Sequence, residues 1–393
     1  MADAVLALNS GSSSIKAALF RGGAAGALLP VWRGEVEGLG LEASFQARDP
    51  GGALLAERRW PGGQADYESI LGWLLEWIES HHSGDTLAAV GHRVVHGGRS
   101  FADPVRLSEA VIAQLEALSP LAPLHQPHCL SPAKVLWALR PGLAQVACFD
   151  TAFHRTLSAV ATRYALPRSY EAQGVRRYGF HGLSYEYVSS RLREIAPELA
   201  AGRVVVAHLG SGASLCAMQA GRSVDTSMGF SALDGLAMGT RCGSLDPGVV
   251  LYMLRECGLR PDQVEHILYY ESGLLGVSGL SSDMRTLLAS PAAAAQEAVE
   301  LFVFRVVREA AALTGTLGGL DGIVFTAGIG ERAAPVRAAI CARLRWLGVE
   351  LDPAANARQD ARLHAQGSRA QVWMIPTDEE LMIARHTAAL RGP

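Results

Sequence analysis

Two arginines stand in glycine-rich segments that suit the recognition of a planar anion. Arg93 lies in Gly91-His-Arg-Val-Val-His-Gly-Gly98, where an apolar strand pattern runs into a glycine pair, and Arg241 lies in Met238-Gly-Thr-Arg-Cys-Gly-Ser-Leu-Asp-Pro247. A guanidinium group donates two parallel hydrogen bonds to a carboxylate or a phosphate, and a tight loop holds it in position. For each arginine taken alone, a salt bridge between domains is an alternative explanation.

Three glycine turns follow apolar strand patterns and could hold phosphate groups. They are Asn9-Ser-Gly-Ser-Ser-Ser-Ile-Lys16, His208-Leu-Gly-Ser-Gly-Ala-Ser214 and Ala327-Gly-Ile-Gly-Glu-Arg332, the last placed where a helix would begin. Small residues let backbone N–H groups approach an anion, and serine hydroxyls add donors. Lys16 is one of only two lysines in the chain, which favours a phosphate contact over a solvated turn. The first segment is not a Walker P-loop, because neither lysine follows a glycine or precedes Ser or Thr.

An aspartate, a histidine and a glutamate complete the set of candidate reactive groups. Asp150 ends an apolar strand pattern, and ligand sites of α/β folds form at strand ends. His181 could equally be a hydrogen-bonded core histidine. Thr377 and Glu380 have the spacing of a capping box at the start of the last helix, which leaves Glu379 free to approach a metal–phosphate group.

The histidines and cysteines form no metal-binding pattern. The six cysteines are scattered without CxxC pairs, which predicts free thiols in a reducing compartment. His92 and His96 lie in a strand pattern, where their spacing need not bring them together, and His125 and His128 lack a further Cys/His pair. We therefore expect neither a structural zinc site nor a disulfide framework.

Strand and helix patterns alternate along the chain, which predicts an α/β fold. Residues 4–20 predict strand, turn and strand, and residues 203–218 repeat that plan, with Gly11 and Gly212 in matching places. Two hairpins of one design, each opening a half of the chain, suggest a duplicated domain. The other predicted elements are strands at Leu87–Val90, Gln145–Phe149 and Gln371–Thr377, a strand followed by a glycine turn in Asp321–Glu331, and helices at Tyr67–His81, Ser108–Leu118, Tyr185–Ile195 and Asp378–Leu390.

Length and composition bound the domain count and the class of partner. The chain has 393 residues, a formal net charge of −3 and no Lys/Arg run, which argues against a nucleic-acid partner. We expect two domains, residues 1–150 and 151–377, because one core rarely serves such a length. The apolar stretch Ala298–Leu317 contains four charged residues, so it predicts a buried or amphipathic helix and not a membrane span. No basic segment that would mark a signal peptide opens the sequence, and we expect a cytoplasmic protein.

Taken together, these segments resemble the acetate kinase family, within the superfamily of acetate and sugar kinases, actin and heat-shock ATPases. The resemblance runs from residue 4 to about residue 385, with the segments in the family order. The segments that carry it are Asn9–Lys16, Gly91–Gly98, Phe149–His154, Tyr178–Gly182, Met238–Pro247, Ala327–Glu331 and Pro376–Leu381. It implies two duplicated actin-like ATPase domains of the ribonuclease H-like fold, with the active site in the cleft between them. It also implies that the last helix, residues 378–393, packs on the first domain.

The same resemblance implies a reversible Mg²⁺- or Mn²⁺-dependent transfer of phosphate from ATP to acetate or another short carboxylate by a homodimer. Asn9 and Glu379 would hold the metal, Asp150 would lie at the catalytic centre, and His181 with Arg241 would stabilise the transferring phosphoryl group. The residues that would contact ATP or ADP are Ser12, Ser14, Lys16, His208, Leu209, Gly210, Ser211, Gly212, Asp283, Met284, Arg285, Gly328, Ile329, Gly330, Glu331 and Arg332. The residues that would bind the carboxylate substrate and enclose its methyl group are Arg93, Val95, Leu124, Phe180 and Ala232.

Those implied roles agree with the demands of the reaction. Phosphoryl transfer between two anions requires cationic groups around the transferring phosphate, and two arginines, a histidine and Mg²⁺ meet that requirement. Acetate is already ionised at pH 7 and needs no general base. We therefore interpret Asp150 as a residue that places Mg²⁺ or its waters.

Several positions depart from the family pattern. Ser211 stands where the phosphate turn reads His-Leu-Gly-Asn-Gly, Arg332 where Gly-Ile-Gly-Glu-Asn is usual, and Ala232 where the acyl pocket has proline. Gln126 and His128 alter a Leu-His-Asn-Pro-x-Asn segment. Nucleotide preference and acyl-chain length therefore stay open, and a propionate or butyrate kinase is an alternative. A non-catalytic nucleotide-binding protein or chaperone-type ATPase would share the glycine turns, but it has no use for the two arginines and the histidine together.

Overall fold

The chain divides into two compact units. The computed structural model describes residues 2–11, 14–23, 27–39, 42–60, 66–81, 85–123 and 125–391. Unit 1 comprises Met1–Ala152 and Asp378–Pro393, and unit 2 comprises Phe153–Thr377. The last helix of the chain thus belongs to the unit that the first residues form.

The described residues form strands and helices in alternation. The strands are β1 (Ala2–Ser10), β2 (Ser14–Gly22), β3 (Leu28–Glu37), β4 (Ala43–Arg48), β5 (Leu54–Trp60), β6 (Asp85–Val94), β7 (Val105–Arg106), β8 (Ala144–Phe149), β9 (Arg203–Leu209), β10 (Ala213–Gln219), β11 (Arg222–Thr226), β12 (Gly322–Thr326) and β13 (Gln371–Met374). The helices are α1 (Tyr67–His81), α2 (Glu109–Glu116), α3 (Gln126–Leu139), α4 (Ala159–Thr162), α5 (Arg168–Ala172), α6 (Gly182–Ile195), α7 (Pro197–Ala200), α8 (Pro247–Arg255), α9 (Pro261–Tyr270), α10 (Gly273–Ser278), α11 (Met284–Ala289), α12 (Ala293–Leu317), α13 (Ala327–Arg332), α14 (Ala334–Arg343), α15 (Pro353–Arg358) and α16 (Glu379–Leu390). Among these helices, none combines the length and the apolar character needed to cross a membrane.

Unit 1 contains a mixed sheet with the strand order β5-β4-β3-β2-β1-β6-β8-β7. Strands β1 to β5 form an antiparallel meander. Strand β6 pairs in parallel with β1, and β8 pairs in parallel with β6. Parallel neighbours have their carboxyl ends at the same edge of a sheet, so the residues that end or follow β1, β6 and β8 meet there.

Burial along the strands of unit 1 follows their place in the sheet. Strand β8 is buried at all six positions, as expected for a central parallel strand that is covered on both faces. Strand β4 instead alternates between buried and more exposed residues, which is the pattern of a strand with one face in the core. That face contributes Phe45, which packs edge-to-face on Trp32 with ring centroids 6.3 Å apart.

Unit 2 repeats the central topology of unit 1. Its sheet has the order β11-β10-β9-β12-β13, with β9 to β11 antiparallel and with β9, β12 and β13 parallel. Strands β3-β2-β1-β6-β8 have the same order and the same directions. Gly11 and Gly212 lie in the matching hairpin turns, between β1 and β2 and between β9 and β10. The predicted duplication is therefore confirmed.

Helix α16 packs against β1, β6 and β8 of unit 1. Gly91 in β6 shows how closely the helix approaches, since a Cβ atom added there would collide with Thr387 Oγ1 and Ile383 Cγ2. A larger residue at position 91 would have to push the helix away. This glycine, which opens one of the segments around the candidate arginines, therefore serves helix packing.

The element boundaries agree closely with the sequence patterns at several places. Helix α1 has the predicted bounds, and Ser108, at the start of a predicted helix, is the N-cap residue of α2. Helix α6 begins at Gly182, three residues before the predicted start. Strand β6 extends beyond the predicted residues 87–90 at both ends.

The predicted capping box of the last helix is wrong. The N-cap residue is Asp378, whose carboxylate accepts a hydrogen bond from Leu381 N at 2.9 Å. Thr377 uses its hydroxyl differently, donating to Ser184 Oγ at 2.8 Å. Asp378 is held in the capping position by Arg33, which donates to both of its carboxylate oxygens at 2.9 and 2.5 Å. The ion pair with Arg33 thus favours Asp378 over Thr377 as the N-cap residue.

Candidate active site

One connected group of polar side chains lies at the carboxyl edge of the unit 1 sheet. Arg93 is in β6, Asp150 follows β8, Asn9 is near the end of β1, and Glu379 is the first residue of α16. Arg93 donates from Nε and Nη2 to Asp150 Oδ2, at 2.9 and 2.5 Å, and from Nη1 to Asn9 Oδ1 at 3.2 Å. Asn9 Nδ2 donates in turn to Glu379 Oε2 at 2.9 Å. These four residues, named here the Arg93 cluster, come from four distant segments of the sequence.

Burial and charge act against each other in the Arg93 cluster. Burial opposes the positive charge on Arg93, but the attraction of Asp150 and Glu379 outweighs it, so the pKa of Arg93 is raised. Burial raises the pKa of Glu379 to about 7, with Arg93 opposing the shift and Asp150 adding to it. The guanidinium group is therefore permanently charged, whereas burial favours the protonated form of Glu379.

The Arg93 guanidinium keeps hydrogen-bond donors for a ligand. An arginine carries five N–H groups, and bonds to described residues occupy one on Nε, one on Nη1 and one on Nη2. Among the described residues, one N–H group on each Nη atom has no acceptor. The side chain is 20% exposed, so an incoming carboxylate or phosphate oxygen can reach these donors.

The oxygen atoms of the Arg93 cluster fit a magnesium ion. Asp150 Oδ1 is buried and has no hydrogen-bond partner among the described residues. An orphaned buried carboxylate oxygen is costly unless a cation or a water satisfies it. Mg²⁺ prefers oxygen ligands, takes few of them from protein, and keeps several waters or substrate phosphates. The described residues accordingly contain no group of three or more His, Cys, Asp and Glu side chains that could hold a metal by themselves.

Lys16 lies beside the Arg93 cluster on β2. It stands directly opposite Asn9 in the β1–β2 pairing and opposite Glu35 in the β2–β3 pairing. Opposed residues on adjacent strands project from the same face of a sheet, so the exposed Lys16 side chain shares the face of Asn9. Ser14 begins β2 at the same edge, whereas Ser12 lies outside the described residues.

In unit 2, His181 and Arg241 converge on the turn between β9 and β10. A Cβ atom added to Gly212 in that turn would lie 3.2 Å from His181 Nε2 and 3.4 Å from Arg241 Nη2. Arg241 is held from its other side, because its Nη1 donates to Ala232 O at 2.8 Å. His181 precedes α6 with a φ of 58°, a left-handed conformation that is uncommon outside glycine. Two donor side chains thus flank a glycine that leaves room for a ligand, and His181, Arg241 and Gly212 are named here the His181 cluster.

The predicted phosphate turn begins with His208, at the end of β9. Its ring stacks on the ring of His181, with centroids 4.1 Å apart and an interplanar angle of 17°. Leu209 is fully buried, so only its backbone could contact a nucleotide. Gly210 and Ser211 form the more accessible part of the turn.

Gly239 brings the phosphate turn close to the segment Asp283–Arg285. Gly239 N donates to Ser211 O at 3.0 Å. A Cβ atom on Gly239 would lie 3.4 Å from both Ser211 O and Ser282 O. Two segments that the sequence singled out separately are therefore neighbours in unit 2.

The members of the segment Asp283–Arg285 are oriented differently. Asp283 is the N-cap of α11 and accepts a hydrogen bond from Arg285 N at 2.8 Å. The exposed Arg285 side chain pairs with the same carboxylate at 2.8 Å. Met284 is buried in the core, so its side chain does not face a ligand.

The third predicted phosphate turn is itself a helix, because α13 starts directly after β12 and contains all of Gly328–Arg332. Gly328 is exposed, and a Cβ atom added there would meet nothing within 4 Å. The fully buried Arg337 donates to Gly330 O at 2.9 Å and to Glu331 O at 2.6 Å. The buried Arg337 thus holds the backbone of α13, which is a candidate nucleotide contact, from the interior of unit 2.

The residues expected to enclose the methyl group belong to both units. Val95 directly follows β6 in unit 1 and is buried. Phe180 is fully buried and Ala232 half-buried in unit 2, while Leu124 lies outside the described residues. The Ala232 carbonyl also accepts the bond from Arg241, so this loop serves the His181 cluster as well.

Two buried polar residues to which the sequence assigned no role support the candidate site. His154 Nε2 donates to Phe180 O at 2.9 Å, and its Nδ1 lies 2.9 Å from Ser223 Oγ. Gln126, noted before only as a departure from a pattern, exchanges two hydrogen bonds with the backbone of His96, at 3.1 and 3.0 Å. Both lie in segments that the sequence analysis compared with the family, but their hydrogen bonds became evident only from their burial in the fold.

Comparisons with known proteins identify the family of the chain. Residues 4–385 match the Acetokinase family. The chain is 53% identical over 390 residues to an acetate kinase of Rhodopseudomonas palustris (strain TIE-1), with 98% of each chain covered. It is 50% identical over 389 residues to an acetate kinase of Nitrobacter hamburgensis, covering 99% of this chain and 96% of the relative.

Solved structures show the same relationship. A propionate kinase from Francisella tularensis subsp. tularensis aligns with a TM-score of 0.91 at 34% identity, covering 99% of this chain and 100% of that one. The acetate kinase of Porphyromonas gingivalis aligns with a TM-score of 0.86 at 35% identity, covering 99% of both chains. The predicted mixed α/β fold of the actin-like ATPase type is thereby confirmed. The chain belongs to the acetokinase family.

Proposed function

We propose that the chain transfers the γ-phosphoryl group of ATP reversibly to acetate, giving acetyl phosphate and ADP in a single in-line step. Membership of the acetokinase family makes the chain a kinase, and relatives named acetate kinase match nearly its whole length. The observation that carries the choice of substrate is Arg93, a charged guanidinium with two N–H groups left over. Such a fork suits the two oxygens of a carboxylate.

The His181 cluster supplies the second half of the proposed chemistry. When a carboxylate attacks a phosphoryl group, negative charge gathers on the phosphoryl oxygens and must be stabilised by fixed donors. Arg241 Nη2 and His181 Nε2 both lie within 3.4 Å of one point beside Gly212. The proposed reaction therefore requires residues of both units: the Arg93 cluster for the carboxylate and the His181 cluster for the phosphoryl group.

Asn9 and Glu379 would hold Mg²⁺, with Asp150 Oδ1 directed at the metal or at one of its waters. When bound, the ion neutralises phosphate charge and orients the phosphate oxygens. Asp150 needs no proton-abstracting role, because a carboxylate substrate is ionised at neutral pH. Its bond to Arg93 instead orients the guanidinium group.

The nucleotide would be bound by residues around the two matching hairpin turns and at the start of α13. Lys16 and Ser14 on β2 would contact the phosphates from unit 1. In unit 2, the backbone of residues 208–212 and the exposed start of α13 offer N–H groups to phosphate oxygens. Asp283–Arg285 lies next to the turn of residues 208–212, because Gly239 is close to both segments. It would complete the nucleotide site.

A propionate kinase is the second candidate, and Ala232 favours it. The resemblance to the family implies a proline at this position of the acyl pocket, and this chain has the smaller alanine. The Francisella tularensis relative is a propionate kinase. One extra methylene in a pocket that accepts it is worth roughly 10- to 200-fold in specificity. Ala232→Pro should lower kcat/KM for propionate relative to acetate if Ala232 opens the pocket. An unchanged ratio would remove this residue from the control of chain length.

The proposed enzyme is a cytoplasmic homodimer with no nucleic-acid or membrane partner. Helix α8 supports self-association, because none of its residues is buried although Val249, Leu251 and Tyr252 are apolar. An exposed apolar helix face of this kind is typical of a protein–protein interface. The free cysteines agree with a reducing compartment.

The activity is tested by measuring ADP formation from Mg-ATP in the presence and absence of acetate. The proposal expects ADP to form only with acetate, because the carboxylate is the phosphoryl acceptor. Equal rates of ADP formation with and without acetate would identify an ATPase and refute the proposal. Arg93→Ala should abolish the acetate-dependent rate, which excludes a contaminating kinase.

A further inference from the structure

The hydroxyl groups of Ser214 and Tyr185 form a chain of hydrogen bonds that leads to the His181 ring. His181 Nδ1 lies 2.8 Å from Ser214 Oγ, and Ser214 Oγ lies 2.5 Å from Tyr185 Oη. Ser214 in β10 and Tyr185 in α6 are both fully buried. Because a strand and a helix hold the two side chains, the three polar groups form a fixed relay that ends at the imidazole.

The number of protons in this relay determines its direction. Each hydroxyl has one proton to donate. Within the described part of the chain, the hydrogen bond to Ser214 Oγ is the only one that Tyr185 Oη makes, so the phenol must donate to the serine, because a buried donor without an acceptor is costly. Burial also raises the pKa of Tyr185 well above its ordinary value, which keeps the proton on the phenol. The Ser214 proton then has His181 Nδ1 as its acceptor.

We propose that Tyr185 and Ser214 are positioning residues that fix His181 as a neutral imidazole with its proton on Nε2. An imidazole whose Nδ1 accepts a hydrogen bond must carry its proton on the other ring nitrogen. Nε2 is the atom that lies 3.2 Å from the Cβ position of Gly212. The proton is therefore directed to the place that Arg241 Nη2 also approaches.

The charged and titratable groups around His181 agree with a neutral ring. His208 stacks on it at 4.1 Å, and Arg241 approaches the same point beside Gly212, so a second or third positive charge would meet repulsion. His208 has a relay of the same kind: Thr377 Oγ1 donates to Ser184 Oγ at 2.8 Å, and Ser184 Oγ lies 2.8 Å from His208 Nδ1. Both stacked rings are thus approached at Nδ1 by a serine hydroxyl that already accepts a bond.

The relay assigns different tasks to the two donors of the His181 cluster. Arg241 provides the positive charge, while a neutral His181 donates a directed hydrogen bond from Nε2. An imidazolium ion would donate from Nδ1 as well, and Ser214 would then accept two bonds and lose the acceptor of its own proton. The tautomer follows from the relay alone, whereas its use in phosphoryl transfer rests on the proposed function.

The test is ¹⁵N NMR of the full-length protein labelled at histidine, since the two ring nitrogens have different shifts with and without a proton. The chain has twelve histidines, and the His181 signals are assigned by their loss in His181→Asn. At neutral pH the proposal expects a protonated Nε2 and a bare, hydrogen-bonded Nδ1. In Tyr185→Phe the Ser214 hydroxyl can also accept, so a fraction of His181 moves its proton to Nδ1. In Ser214→Ala the bare Nδ1 loses the shift that an accepted hydrogen bond produces.

Activity and a matched control complete the test. Both variants should lower kcat roughly 10- to 100-fold, the range found when the partner that orients a functional histidine is removed, with KM for acetate little changed. Tyr187→Phe removes a hydroxyl from the same helix outside the relay and should keep the His181 spectrum and the rate. A proton on Nδ1 in the native protein, or native His181 spectra in both relay variants, would overturn the proposal. An inactive native protein with the expected tautomer would refute the kinase chemistry and support the relay.

Discussion

Arg93 and Arg241 are held in different ways, and the difference matches their proposed tasks. Arg93 lies against the carboxylate of Asp150 at 2.5 Å, so its charge is compensated before any ligand binds. Arg241 instead donates to the neutral carbonyl of Ala232, so this contact fixes its direction without compensating its charge. Removing one member of a buried ion pair leaves the other uncompensated and destabilises the fold. Arg93 should therefore affect stability as well as catalysis.

We predict that Arg93→Ala and Arg241→Ala each lower kcat/KM by roughly 10³-fold or more, as do charge-stabilising arginines in other phosphoryl transfers. Arg93→Ala should also lower the melting temperature, because Asp150 loses its ion-pair partner. Steady-state kinetics and thermal melts measure both effects. Arg260→Ala, which removes an exposed guanidinium paired with Asp262, is the control and should change neither. Near-native activity in either test variant would exclude that arginine from the mechanism.

His154 gives the fold a defined response to acid. Burial lowers the pKa of His154 from 6.5 to about 4, so the unfolded chain binds more protons than the folded chain between these pH values. The free energy of unfolding therefore falls as the pH drops from about 6.5 to about 4, by up to about 3 kcal/mol for this group. His154→Gln removes the titrating ring and should flatten this part of a plot of melting temperature against pH. His92 and His96 have similarly lowered pKa values, so some slope should remain, but curves of equal slope would contradict the account.

At the level of elements, contacts that are local in sequence could be predicted, and those set by partners far along the chain could not. The apolar period of Tyr67–His81 is enough to place α1. The N-cap of α16 could not be predicted without its ion pair to Arg33, which is far away in the sequence. The Tyr185–Ser214 relay could not be predicted without knowing how α6 packs near β10. Residue types and glycine turns marked Arg93 as an anion binder, yet its bonds to Asp150 and Asn9 depend on three strands ending at one edge.

Gly91→Ala should show that α16 must pack closely on β6 to place Glu379. The added methyl group collides with Thr387 and Ile383, and overpacking of this kind costs about 1–3 kcal/mol. We predict a lower melting temperature and a higher Mg²⁺ concentration for half-maximal activity, since Glu379 is the first residue of the displaced helix. Gly142→Ala is the control, because a Cβ atom there would meet nothing within 4 Å. If Gly91→Ala needs the same Mg²⁺ concentration as the native protein, the close packing of α16 on β6 does not position Glu379, and the prediction is contradicted.

For the whole molecule, the repeated topology explains why the proposed reaction draws on both halves of the chain. Each unit has an antiparallel hairpin followed by parallel strands. Asn9 and Arg93 lie at strand ends in unit 1, and His208 lies at a strand end in unit 2. The Arg93 cluster, which is proposed to bind the carboxylate, belongs to one copy, and the His181 cluster belongs to the other. The two units thus share one sheet topology, while their candidate side chains have different proposed roles.

Self-association through α8 is the prediction that concerns the complete molecule. Leu251 and Tyr252 are 46% and 60% exposed, so replacing both by glutamate places charge in the proposed interface. Light scattering after size exclusion should give twice the chain mass for the native protein and the chain mass for the double variant. Val160→Glu, at an 84% exposed position on α4, is the control and should leave the dimer intact. A monomeric native protein, or a double variant that still dimerises, would contradict the proposal.

The most direct test of the central claim is to trap the acyl phosphate itself. Purified protein, Mg²⁺ and ATP are incubated with acetate, propionate or butyrate in the presence of hydroxylamine, which converts any acyl phosphate to a coloured iron-binding hydroxamate. We predict acetohydroxamate in amounts equal to the ADP formed, and formation slower by roughly 10³-fold or more with Arg241→Ala. ADP that accumulates with inorganic phosphate and without any hydroxamate would contradict the claim, because the phosphoryl group would then have passed to water and not to a carboxylate.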